Sequence, residues 1–166
     1  MEQRNPVLCV DVDGVISLFG FPAGLPPAGR FLLVDGTPHY LSASAGRHLR
    51  RLADCFEPVW CTGWEERASE HLPHALGLPS SYPYLTFEVS PGRAHAHWKL
   101  GAIERHAGAR PLAWIDDAHD EECEQWARSR SAAGAPTLLV TTNPAVGITD
   151  DHVAELTAWA ARLSAP

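Results

Sequence analysis

Short apolar runs alternate with amphipathic stretches along this chain. The runs at 7–12 (VLCVDV), 58–62 (PVWCT), 111–116 (PLAWID) and 137–141 (TLLVT) are continuous rather than alternating, as in strands covered on both faces. Between them, Leu49, Leu52, Ala53 and Phe56 give residues 44–55 one apolar side, which predicts a helix. Further helices are predicted over 65–76, ending near Gly77 and limited by Pro73, and over 97–107. Another covers 120–132 with Trp126 on its apolar side, and Thr149 or Asp150 caps a last one. The stretch 14–40 is rich in Gly and Pro, then offers FLLV, Asp35-Gly36 and HYL, the pattern of a hairpin with a tight turn. Residues 78–92 read as loop with an edge strand at YLTFEV.

Strands that alternate with helices predict an α/β fold: a Rossmann-like three-layer sandwich around a mainly parallel sheet. The expected organisation is a single domain over 1–166, with a small flap at about 14–40 and no large cap. Such sheets place their sites at the carboxyl ends of the strands.

Composition narrows the functional classes. A net charge of −7 gives no broad attraction for nucleic acid or anionic lipid. No stretch approaches the roughly 20 apolar residues that span a bilayer, so a cytoplasmic protein without membrane partners is expected. Cys9, Cys55, Cys61 and Cys123 form no CxxC pair, which favours free, mostly buried thiols. His95 and His97 in HAHW stand two apart, poor spacing for one helix face, so solvated or capping histidines are favoured there over a metal site.

The strand ends carry the candidate chemistry. Asp11 and Asp13 follow the first strand, Thr62 closes the second, and Asp116 and Asp117 end the third. Carboxylates gathered at one edge either take up protons or share a hard, oxygen-loving cation, and Mg²⁺ suits such a cluster. Lys99 is the only lysine in the chain, a compact ammonium able to meet both a carboxylate and a phosphoryl group. Each residue also has a plain structural reading. Asp11, Asp13, Thr62 and the Asp116-Asp117 pair are all good turn or helix caps, and Lys99 could be a solvent-facing helix residue. The set taken together favours phosphoryl transfer over capping.

In the order DVDG, CTG, Lys99, IDD, the sequence resembles the haloacid dehalogenase-like superfamily, over Val7 to about Val140. The words VWCTGW, WK and PLAWIDD are also similar to a small stand-alone, actinobacterial-type group of that superfamily, some related to domains suspected in RNA repair. The resemblance implies a phosphatase in which Asp11 is the nucleophile that forms an aspartyl-phosphate. It makes Asp13 the acid that protonates the leaving oxygen and then activates water, its carbonyl holding Mg²⁺. Thr62, the Gly63 amide and Lys99 would then hold the phosphoryl oxygens. Asp116 is the first choice for the direct metal carboxylate, with Asp117 orienting bound water or Lys99, and these two roles are exchangeable. Gly14 would free the backbone to turn over the phosphate.

Trp60, Trp64, Trp98 and Trp114 pack the core or line the mouth of the site, with Trp64 the first candidate for exposure and for a substrate contact. Arg30, His39 and Tyr40 are further possible contacts on the flap. The expected substrate is a phosphorylated small molecule or an exposed phosphate on a macromolecule. A nucleotidase or nucleic-acid end phosphatase is the second enzymatic reading, favoured by an arginine-lined groove and an exposed Trp64. A noncatalytic binding or scaffold protein is the third, and the costly carboxylates weigh against it.

Overall fold

The computed structural model describes residues 4–88 and 94–164. Four strands, β1 (Val7–Val10), β5 (Glu57–Trp60), β6 (Leu112–Asp116) and β7 (Thr137–Thr141), form one sheet in the order β5-β1-β6-β7, every pair parallel. Before β5 come β2 (Ser17–Leu18), β3 (Gly29–Val34) and β4 (Thr37–Ser42), a separate antiparallel sheet in the order β2-β4-β3.

Among the described residues, five α-helices flank these sheets: α1 (Ala45–Ala53), α2 (Glu66–Leu76), α3 (Leu100–Ala107), α4 (Glu121–Ala132) and α5 (Asp150–Leu163). Successive β1 side chains point to opposite faces, so Leu8 and Val10 pack with Leu49, Leu72 and Leu156 from α1, α2 and α5. Val7 and Cys9 pack on the other face with Ile103 of α3 and Cys123 of α4. Each face thus excludes water from β1, which is why that strand is apolar without interruption.

The expected α/β fold, with its parallel sheet and no large cap, is present. The flap contains the expected hairpin, with Asp35 and Gly36 both at positive φ (50° and 79°), as a two-residue turn between twisted strands requires. The short β2 pairs with β4 to add a third strand, and the sheet extends to Ser42. Pro73 does not shorten α2, which runs through it to Leu76. The Ser69 carbonyl that a residue-73 amide would have bonded accepts the Ser81 hydroxyl at 3.0 Å instead.

The edge strand expected at YLTFEV reduces to a bridge between Trp60 and Tyr84, and Val89 lies outside the described residues. Phe87 donates its amide to Glu65 Oε1 at 3.3 Å, which diverts it from a strand ladder. The helix expected over 97–107 begins as a 3-10 turn, His97–Lys99, before α3. Among the described residues, all four cysteines are free thiols, and no helix is long and apolar enough to cross a membrane.

Candidate metal and phosphate site

Sheet register brings the acidic motifs together. Val10 pairs with Trp60 on one side and Ile115 on the other, so the next residue, Asp11, stands beside Cys61 and Asp116 at the strand ends. The Asp11 amide donates to Ile115 O at 3.0 Å, fixing its backbone. From β1 the chain goes out to β5 and then returns across the sheet to β6, so the motifs meet where the strand order reverses.

Lys99 is only 4% exposed, which excludes the solvent-facing reading. Its ammonium lies 3.0 Å from Asp11 Oδ1 and 2.6 Å from Asp116 Oδ2. The second Asp116 oxygen, Oδ1, accepts the Ala118 amide at 3.0 Å. Burial pushes the Asp11 carboxyl well above the usual carboxylate range, opposed by Lys99 and reinforced by Asp116. Burial alone would lower the Lys99 ammonium, but Asp11 and Asp116 outweigh it and hold the lysine charged. Asp117, half-buried beside Asp116, is pushed up to about 6 by burial and by that neighbouring charge.

Asp11, Asp116 and Asp117 each offer an oxygen within 4.8 Å of the others. Three carboxylates against one ammonium leave excess negative charge, a donor set that fits a hard cation such as Mg²⁺. Both Asp116 oxygens already have partners, which leaves Asp117 and Asp11 the better placed to ligate directly. Helix α4 is capped by Asp120, whose Oδ1 accepts the Cys123 amide at 3.1 Å, so Asp116 and Asp117 are not its caps.

Gly14 is required where it stands. It has φ +84°, and a Cβ there would come within 2.3 Å of the Asp117 carboxyl carbon. Thr142, buried just after β7, donates its hydroxyl to Gly14 O at 2.8 Å and its amide to Asp116 O at 3.1 Å, clasping the two loops together. Replacing Gly14 by Ala is expected to lower stability by about 1–3 kcal/mol, read by thermal unfolding.

Thr62 is buried, and its Oγ1 accepts the Trp64 amide at 3.2 Å. That bond uses a lone pair, so the hydroxyl proton remains available to a ligand oxygen. Gly63 sits exposed in the same turn. Trp64 corrects an expectation, because it is 8% exposed rather than open to solvent. Its indole N–H donates to Asp13 Oδ2 at 3.0 Å, which anchors that carboxylate away from the Asp11 cluster. The Asp13 side chain itself remains exposed to solvent.

No family model matches the chain, and no curated protein matches it.

The flap contributes His39, whose Nδ1 lies 3.7 Å from Asp13 Oδ1 and whose ring meets Trp64 at 4.4 Å between centroids. Tyr40 instead donates to Pro27 O at 2.6 Å and packs against Phe21 and Phe31, while Arg30 bonds the Ala75 carbonyl at the end of α2. Trp60 and Trp114 are core residues, and Trp98 packs edge-on against Phe87. Thr142 escaped the sequence reading, although its position immediately after an apolar strand is the same signal that marked Asp11 and Thr62.

Proposed function

We propose that this protein is a Mg²⁺-dependent phosphomonoester hydrolase of the haloacid dehalogenase-like type, with Asp11 as the nucleophile. The observation that carries the reading is the buried Lys99 ammonium held between Asp11 and Asp116, with Asp117 alongside. A merely structural ion pair needs one carboxylate. A third carboxylate, half-buried beside them, adds a cost that a cation and a phosphate would offset.

Asp11, Asp117 and the Asp13 carbonyl would hold the Mg²⁺, which supplies charge neutralisation for the phosphate and for the carboxylates themselves. An ionised Asp11 oxygen attacks phosphorus while the bond to the leaving oxygen breaks, and protonated Asp13 gives that oxygen its proton. Asp13, now a carboxylate, takes a proton from water; the water oxygen attacks phosphorus, and the Asp11–phosphorus bond breaks to release inorganic phosphate. Lys99 opposes the effect of burial on Asp11, which a bound cation would offset further, and balances charge that develops on the phosphoryl oxygens. The Thr62 hydroxyl donates to one of those oxygens, with the Gly63 amide beside it. Trp64 and His39 position Asp13 between these duties.

Without a large cap, the pocket would accept a phosphate on a small molecule or one projecting from a macromolecule. The arginine-lined groove available is a cavity of about 290 Å³ lined by Arg30, Arg47 and Arg50, between the flap, the start of α1 and the end of α2. Arg30 and Arg50 there are bonded to backbone carbonyls of residues 75–77, and Trp64 is buried, so neither feature favours a nucleic-acid end over other phosphomonoesters.

Phosphate release from a panel of phosphorylated sugars, nucleotides, phosphopeptides and end-phosphorylated oligonucleotides tests the reading. Release that requires Mg²⁺ supports it. A folded, Mg²⁺-binding protein inert on every member contradicts it.

Proton and cation compete for Asp117. Its carboxyl is raised to about 6 in the cation-free protein, so protonation is favoured below that value and ionisation above it. The thermal stabilisation given by a fixed Mg²⁺ concentration is therefore expected to be largest near neutral pH and to fall away as pH drops through about 6. A shift that grows toward acid pH would exclude Asp117 as a ligand.

A further inference from the structure

A second cluster of potential ligands lies at the start of the 3-10 turn that carries Lys99. His95 and His97 flank Ala96, whose amide donates to Ala118 O at 2.8 Å and fastens this turn against the loop after β6. His97 Nδ1 is 2.6 Å from Asp120 Oδ2 and 3.5 Å from Glu122 Oε2. The His95 ring stacks on that of His97, 3.8 Å between centroids and 6° from parallel, and its Nδ1 is buried with no hydrogen-bond partner among the described residues. One ligand atom from each of His95, His97 and Asp120 lies within 4.8 Å of the others.

We propose that His95, His97 and Asp120 form a site for a borderline divalent transition metal of the Zn²⁺, Co²⁺ or Ni²⁺ class, separate from the carboxylate cluster around Asp11. Two imidazoles and a carboxylate select such cations over Mg²⁺, which prefers oxygen throughout. The metal takes the place of the proton now shared by His97 and Asp120, whose nitrogen and oxygen need only separate to about 3 Å to span a metal with bonds near 2 Å. A nitrogen of the His95 ring lies within 4.8 Å of the His97 and Asp120 ligand atoms, and the Nδ1 of that ring is otherwise unsatisfied among the described residues.

The remaining geometry suits the assignment. Asp120 is oriented through its other oxygen by the Cys123 amide, the kind of outer hydrogen bond that fixes a ligating carboxylate. His97 and Asp120 are each about a third exposed (33% and 31%), so the ion has a route in, and the exposed Glu122 can complete the set. Neither histidine contacts the Asp11 cluster by any hydrogen bond among the described residues. The two sites therefore differ in ligand chemistry and share no ligand.

The test uses the full chain, stripped of metal and kept in excess Mg²⁺, titrated with Co²⁺ and followed by visible absorption. One equivalent is expected to bind with the bands of a nitrogen-ligated ion, and Zn²⁺ is expected to displace it. Affinity is expected to fall by more than about tenfold in His95→Asn and in His97→Gln, and to be unchanged in Asp117→Asn. In the parent protein, the paramagnetic ion is expected to broaden the ring resonances of His95 and His97 ahead of those of the other histidines, a readout that needs no variant to fold. Absence of Co²⁺ binding, binding lost with Asp117→Asn, or broadening confined to other histidines would each overturn the site.

Discussion

Replacing Lys99 by Met is expected to destabilise the protein by about 3–5 kcal/mol, a fall in Tm of roughly 10 °C for a chain this size. Methionine keeps much of the side-chain volume but leaves Asp11 and Asp116 facing each other in a space where they are 6% and 1% exposed. With their shared ammonium gone, one carboxyl must take up a proton or the site must open to water. The double variant Lys99→Met with Asp116→Asn removes one of the stranded charges and is expected to recover about half of the lost stability. On the proposed mechanism phosphate release should stay abolished in both, because the ammonium beside the Asp11 carboxyl is missing in each. Recovery of activity along with stability would reduce Lys99 to a structural counterion. Thermal unfolding and phosphate release on the same preparations separate the two outcomes.

Asp13→Asn is expected to slow turnover by about 10²–10⁴-fold without weakening the Mg²⁺-induced thermal shift. The Asp13 carboxylate is turned toward Trp64 and His39, and the oxygens that gather for a cation come from Asp11, Asp116 and Asp117. In the proposed reaction its removal would take away the acid of the first step and the base of the second. The loss should therefore be smallest, in the first step, for an aryl phosphate whose leaving oxygen needs no proton. The phosphorylated enzyme should then accumulate, because no base remains to activate water. A Mg²⁺ shift that vanished with this substitution would place the Asp13 carboxylate on the metal instead.

The parallel sheet was legible because each of its strands is a nearly unbroken apolar run, which a strand covered on both faces needs. Asp11, Thr62 and Asp116 were legible for a related reason: polar residues that break such runs at their carboxyl ends are costly to bury as apolar packing, and the sheet gathers those ends. The hairpin turn was legible from Asp35-Gly36, since few pairs tolerate positive φ twice.

What escaped the sequence depends on contacts between distant residues. Trp64 follows a glycine in a turn, a local signal for exposure, yet its indole is drawn inward by Asp13, fifty-one positions away. YLTFEV has the composition of a strand, but the Glu65 side chain captures the Phe87 amide. The spacing of His95 and His97 does not suit one helix face, but the regular turn starts only at His97 and lets the two rings stack. That Lys99 reaches Asp116 rather than Asp117 was likewise open in sequence, because it depends on how the turn carrying Lys99 packs against the loop after β6.

The most direct test of the account is to mix the protein with Mg²⁺ and an aryl phosphate, quench in acid on the millisecond scale, and map the chain by peptide mass spectrometry. The account predicts one added phosphoryl group on the peptide that carries Asp11, more of it in Asp13→Asn, and none in Asp11→Asn, which also releases no phosphate. Undiminished phosphate release by Asp11→Asn, or a phosphoryl group on any other residue, would contradict it.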